Sequence, residues 1–422
     1  MFPVAEIGIA ILRMIPMLLV DPRMAIVFWL VVILVGIQYR RLALLEQSLY
    51  GVAKNSPVAQ TVGAVVQGIA GGVFGSFLLV LLGVTVAGLG AGYLLLVALL
   101  LMTIHPRFMC FSYAGGLISI SSLLFGFPDV NVPAVIALVA VLHVVESFLI
   151  LFTGHLGATP MNIKNNAGKT VGGFALQRFW PVPVILLVLV GLPNGELPPG
   201  SINMPDWWPL IKPEEALPEA ENILYVMFPV AAALGYSDVA VTCRPREKTL
   251  RSSLWLAAYS VSLLVVGVLS SAGWIYQFLA AVYAALGHEA VVLLGRRGQM
   301  DGRPYFTAPQ QGVRVMDLVP GAPAERAGLG KGDVVVEVNG EEVGGPAHLT
   351  QLLAEAGGTA WLTVRRNGKP QAHRLVGKGR TLLDFGFIPV PSEDAQNYVE
   401  FRHQGFFQRL LGRLTNRGRN GG

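Results

Sequence analysis

Ten apolar runs crowd the first 294 residues, near 4–20, 24–38, 61–82, 84–104, 111–127, 132–152, 181–192, 223–235, 254–270 and 272–294. A helix that crosses a bilayer takes about 20 such residues, within a range of about 17 to 25. The chain is 53% hydrophobic and only 14% charged, against roughly a quarter charged in soluble globular proteins. The expectation is an α-helical polytopic membrane domain over residues 1–295. The runs at 181–192 and 223–235 are short for two crossings, which leaves about six to ten spans and a best count of about eight.

Charge separates a second module. Residues 1–295 hold 14 Lys+Arg and 14 Asp+Glu, whereas residues 296–422 hold 17 and 12, so the net charge of +5 belongs to the C-terminal part. Within the membrane module the basic connections are Arg40, Arg41 and Lys54, then Arg107, then Lys164 to Arg178, then Arg244 to Arg251, then Arg296 and Arg297. If the segments pair as hairpins these share one side, which the positive-inside tendency makes cytoplasmic, with both chain ends there. The connection at 193–222 carries six carboxylates, one lysine and the pair Trp207 and Trp208, which suits an outer face with an aromatic anchor. The N-terminal apolar run has neither a basic start nor a small-residue cleavage pattern and reads as retained. Glycine clusters such as 71–76 and 83–92 suit close helix packing in lipid.

Ionisable groups inside apolar runs are the natural functional candidates. His143 and Glu146 share one helical face and His155 ends the same run, but two donors on one helix do not make a zinc site, which takes three or four. The run His288-Glu289-Ala290-Val291-Val292 approaches the HExxH pattern of zinc proteases, with Val292 where the second histidine belongs. Cys110 and Cys243 are the two cysteines and form neither a disulfide framework nor a CxxC motif. The sequence calls for no catalytic residue, metal or cofactor, and nothing in it points to nucleic acid.

From residue 312 the pattern changes to alternation and turns. Residues 312–321 read as a strand closed by Pro320-Gly321, 322–328 as a helical turn ended by Gly328, and 331–340 as a strand entering an Asn339-Gly340 turn. Residues 348–358 place Leu349, Leu352 and Leu353 on one helical face, and 361–376 form a hairpin about Asn367-Gly368. The stretch Pro320, Gly321, Pro323, Ala324, Ala327, Gly328, Leu329, Gly332, Asp333, Val335, Val338, Asn339, Gly340 resembles the bacterial form of the PDZ family. That resemblance implies a small α+β domain, set here at 305–377, that binds extended peptides or proteins beside its helix. Leu349, Leu352 and Leu353 would then be the protein-binding wall. Residues 305–315 hold no GLGF-like run, so the implied ligand is an internal segment or a folded partner. Residues 378–422 form a basic tail, in which 401–419 carry five arginines and no carboxylate, with Phe407, Leu410, Leu411 and Leu414 at helical spacing for a membrane surface.

Multi-span start, Tyr236 to Lys248, and the glycine-punctuated core at 320–340 together resemble the MinJ family of cell-division topological determinants. That resemblance implies a non-enzymatic, membrane-anchored scaffold joining a polar coiled-coil protein to an inhibitor of the division ring, with the lipid bilayer as its other partner. The turn from Gly328 to Asp333 would then serve docking or domain integrity. The alternative is a site-2-protease-like membrane protein, or a protease regulator that selects substrates with its PDZ domain. A transporter reading rests only on the spans and on His143 with Glu146.

Overall fold

The computed structural model describes residues 2–51, 53–192, 198–213 and 222–391. Helices α1 (Val4–Val20), α2 (Pro22–Tyr50), α3 (Pro57–Leu82), α4 (Ala91–Ile104), α5 (Phe111–Phe125) and α6 (Val132–Thr153) come first. Strands β1 (Thr159–Lys164), β2 (Thr170–Leu192) and β3 (Asn222–Ala240) interrupt them, and α7 (Pro245–Leu269) and α8 (Trp274–Met300) close the membrane module. Among the described residues five helical stretches are long and apolar enough to span a bilayer: Met24–Leu49, Pro57–Leu82, Val132–Thr153, Pro245–Ala272 and Trp274–Met300. Helices α4 and α5 are apolar but shorter. Local chemistry sets the helix ends. The Ser56 and Asn131 side chains accept the amides of Ala59 and Ala134 ahead of Pro57 and Pro133 in the first turn, and Gly83, at φ 78°, closes α3 in the left-handed conformation.

The apolar runs at 181–192 and 223–235 are halves of one long antiparallel β-hairpin, paired from Phe174↔Ala240 to Leu192↔Asn222. This departs from an all-helical membrane module. Pro181, Pro183 and Pro229 remove helical amide donors, while Val182, Val184, Ile185, Val188 and Val190 favour extended backbone. A strand in apolar surroundings must satisfy both of its edges. One edge of β2 is taken by β3. On the other edge, Tyr39 Oη lies 3.1 Å from both the amide and the carbonyl of Phe179, and Pro181 and Pro183 have no amide to satisfy. The Ile185 amide donates to Ser76 Oγ at 2.9 Å, and the Leu187 amide donates to the Val84 carbonyl at 3.1 Å. Helix α3 lies against this edge so closely that a Cβ on Gly68 or Gly72 would stand 2.0 Å from the Pro181 or Pro183 carbonyl oxygen. Gln67 completes the seam, its Oε1 accepting from Arg178 Nη2 at 2.7 Å and Trp180 Nε1 at 3.1 Å.

The C-terminal domain is a sheet of order β8-β7-β5-β4-β9 with β6 paired to β5. Its strands are β4 (Val313–Leu318), β5 (Val334–Val338), β6 (Glu341–Glu342), β7 (Thr359–Arg366), β8 (Lys369–Val376) and β9 (Phe387–Pro389), with helices α9 (Pro323–Arg326) and α10 (Pro346–Glu355). Turns fall where the sequence places them: Asn339 and Gly340, and Asn367 and Gly368, all have positive φ. The boundary expected at 377 falls short. Strand β9 pairs Phe387 with Leu318 and Pro389 with Val315, and Leu382, Phe385 and Phe387 fill the domain core. A three-residue strand carries no readable alternation, so the hairpin about Asn367 is the last element the pattern reveals. The amphipathic segment expected at 401–419 lies outside the described residues.

Strand alternation ties this domain to the membrane module. Val315, Leu318 and Phe387 face the domain core, whereas Met316, Ile388 and Val390 join the membrane-module core together with Phe306. Asp317, 1% exposed, pairs with Lys54 of the α2–α3 connection and with Lys331 at 2.9 Å. Glu46, equally buried, fixes that connection by accepting the Lys54 amide at 2.8 Å and Thr159 Oγ1 at 2.8 Å. Farther along the seam, Asn166 Nδ2 donates to Asp301 at 2.6 Å and Arg244 Nε donates to Tyr305 Oη at 2.8 Å.

Candidate functional site

Helix α10 is amphipathic. Leu349, Leu352 and Leu353 are all buried in the C-terminal core, so the leucines expected to line a groove hold the helix from behind. Pro346, Ala347, Gln351, Ala354 and Glu355 are its exposed positions. The GLGF-like run that is missing at 305–315 has a counterpart at Phe385-Gly386-Phe387-Ile388, on the loop that leads into β9. Gly386 has φ 86°, and a Cβ there would meet the Ala322 methyl at 2.2 Å. The Gly386 and Phe387 amides are already donated to the Leu383 and Leu382 carbonyls, both at 2.9 Å. The amides of Arg380 and Thr381, both at 2.8 Å, hold the Asp384 carboxyl below the usual carboxylate range.

The turn from Gly328 to Asp333 is a structural clamp. Arg366 grips the Asp333 carboxylate with Nε at 2.8 Å and Nη2 at 2.6 Å, and Nη2 also reaches the Gly328 carbonyl at 2.8 Å. Burial pushes the Asp333 pKa up, but Arg366 and the Gly330 amide more than offset this and leave it below the ordinary value.

In the membrane module the structure gathers residues that the sequence had left scattered. His143 Nδ1 lies 2.7 Å from the Val139 carbonyl, and its Nε2 lies 3.1 Å from Cys110 Sγ and 3.2 Å from Ser112 Oγ. Cys110 Sγ is also 3.7 Å from His288 Nε2. His143 therefore turns to α5 and α8 and not to Glu146. Glu289 is held apart from this group by Tyr113 Oη at 2.6 Å and Arg107 at 3.0 Å. His155, past the end of α6, is not one of the clustered donors. Cys243 is buried, which pushes its thiol pKa up. Cys110 is the member that sequence spacing could not find. It sits in the short connection that caps α5, far in sequence from both histidines, and only the packing of α5 against α6 and α8 brings the three together.

Residues 314–366 match the PDZ domain family. The C-terminal domain is a PDZ domain. The chain is 25% identical over 213 residues to the cell division topological determinant MinJ of Bacillus subtilis, a match that covers 49% of each protein. It is 41% identical over 54 residues to the putative serine protease HhoA of Synechocystis sp., covering 13% of this chain and 14% of that one. It is also 32% identical over 114 residues to a probable periplasmic serine endoprotease, DegP-like, of Brucella suis, covering 22% of each. The chain thus spans about half the length of MinJ and far less of the two proteases. This is a MinJ-like membrane protein with a PDZ domain.

Proposed function

We propose that the protein is a non-enzymatic, membrane-anchored scaffold whose PDZ domain recruits division-site proteins. The observation that carries this reading is the 213-residue similarity to MinJ, which exceeds the length of the PDZ domain and so includes membrane-module sequence. The protease similarities are short by comparison. PDZ domains bind peptides by strand addition or hold folded partners. Because the Gly386 and Phe387 amides are engaged within their own loop, the ligand is an internal segment or folded surface, not a free carboxyl terminus. In this reading α10 forms the wall of the groove, presenting Ala347, Gln351 and Ala354, while Leu349, Leu352 and Leu353 set its position.

The PDZ domain belongs on the cytoplasmic side. What supports this is that three basic connections of the membrane module meet the PDZ domain or its linker, through Lys54 with Asp317, Asn166 with Asp301 and Arg244 with Tyr305. The deciding experiment is affinity capture with the full-length protein in mild detergent, with a reporter fused after the PDZ domain. Recovery of polar or division proteins and a reporter active in the cytoplasm is the expected result. Metal-dependent cleavage of membrane substrates, lost on His288→Ala or Glu289→Gln, would replace the scaffold with the protease reading.

A further inference from the structure

Cys110, His143 and His288 come from the start of α5, the middle of α6 and the middle of α8, and the scaffold role uses none of them. Their donor atoms all lie within 4.8 Å of one another. We propose that these three side chains form a Zn²⁺ site with one open coordination position, clamping α5, α6 and α8 together.

The spacing fits the ion. Zn–S bonds of about 2.3 Å and Zn–N bonds of about 2.0–2.1 Å at tetrahedral angles put donor atoms about 3.4–3.6 Å apart. The two sulfur–nitrogen distances are 3.1 and 3.7 Å, which bracket that range. The two imidazole donors lie within 4.8 Å of each other and must settle at about 3.4 Å for one ion to take all three ligands. One thiolate and two imidazoles suit zinc, whereas magnesium and calcium take oxygen donors.

Protonation is also arranged for a metal. The Val139 carbonyl accepts from His143 Nδ1, so Nε2 carries the lone pair that faces sulfur. In the metal-free protein the Cys110 thiol donates to that lone pair. Zn²⁺ takes the place of the thiol proton: one Zn–S bond forms, one S–H bond breaks, and one proton leaves to solvent with no change of oxidation state. Ser112 Oγ, 2.9 Å from Tyr259 Oη, then donates there, and Tyr259 Oη donates to the Ala284 carbonyl at 2.7 Å, so no hydroxyl is stranded. His288 Nε2 faces the sulfur; to coordinate through it the neutral ring carries its proton on Nδ1, which is buried and finds no acceptor among the described residues, so a water must take that proton's hydrogen bond. His143 is 3% exposed, while Cys110 and His288 are partly buried.

The test uses full-length protein in detergent, stripped with chelator and then titrated with Zn²⁺ alone. One zinc per chain by elemental analysis is expected, with release of about one proton and at least about tenfold slower maleimide labelling of Cys110. Buried Cys243 serves as the internal control. Co²⁺ in place of zinc should give a thiolate-to-metal charge-transfer band. Cys110→Ser and His288→Gln should each weaken zinc binding at least about tenfold, with circular dichroism checking that the helices persist. Absence of stoichiometric zinc in the wild type would overturn the assignment, whatever the variants do. So would zinc binding or a cobalt band that survives both substitutions, zinc uptake without protection of Cys110, or uptake of Cu⁺ to the exclusion of zinc.

Discussion

Alanine at Gly72 would put a methyl carbon 2.0 Å from the Pro183 carbonyl oxygen and 3.0 Å from the Pro183 carbonyl carbon and Cδ. Carbon–oxygen contacts settle near about 3.3–3.6 Å, so α3 must withdraw from β2 by more than about 1 Å. That withdrawal pulls Ser76, one turn along, away from the Ile185 amide it satisfies at 2.9 Å. Overpacking costs about 1–3 kcal/mol and an orphaned buried amide about 1–3 kcal/mol, against about 1 kcal/mol returned by the better helix propensity of alanine. The net expectation is a destabilisation of about 1–5 kcal/mol. Gly63, on the same helix, is the control: the nearest atom to its would-be Cβ is the flexible end of Gln67 at 3.8 Å, so Gly63→Ala should be neutral or slightly stabilising. Thermal unfolding in detergent, with hydrogen exchange at the Ile185 amide, measures both. Equal melting of Gly72→Ala and wild type, with Ile185 still protected, would refute the close-contact account of the seam.

Asp317→Asn leaves Lys54 facing an uncharged partner at the buried seam and should cost about 3–5 kcal/mol of docking, read as faster proteolysis of the linker before β4 in the full-length protein. Asp333 has a depressed folded pKa, so its stabilisation is present above the ordinary carboxylate value of about 3.9 and is lost as pH falls through the lower folded value. Hydrogen exchange across β5 should therefore accelerate more steeply below about pH 4 in wild type than in Asp333→Asn, which is already weakened at neutral pH. Leu352→Ala opens a cavity and should destabilise the PDZ domain by about 2–5 kcal/mol, whereas Gln351→Ala should leave its melting unchanged and weaken only partner capture.

The PDZ elements were legible because each is marked by a local signal: positive-φ Asn-Gly turns, a glycine that stops α9, and an amphipathic α10. Strand β9 was not, since three residues carry no period and their place in the sheet depends on a partner about 70 residues earlier, a separation read from the pairing of Phe387 with Leu318. In the membrane module, hydropathy located every helix but could not give the state of 181–192 and 223–235, because short apolar runs read alike as helix or strand. The prolines at 181, 183 and 229 were the available sign. The Cys110, His143 and His288 group was invisible for a different reason: helix packing, not sequence spacing, decides which donors meet. The same limit applied to Leu349, Leu352 and Leu353, whose periodicity identifies an inward face without saying whether the inside is a core or a ligand.

Strand β4 packs one face into its own domain and the other into the membrane module, with Asp317 fixed between two lysines. A binding domain on a free tether sweeps a volume and gains local concentration from its reach. This one has surrendered that reach. It meets partners from a fixed heading relative to the bilayer plane, so its capture radius is set by lateral diffusion of the whole protein, and a bound partner is delivered already oriented to the membrane.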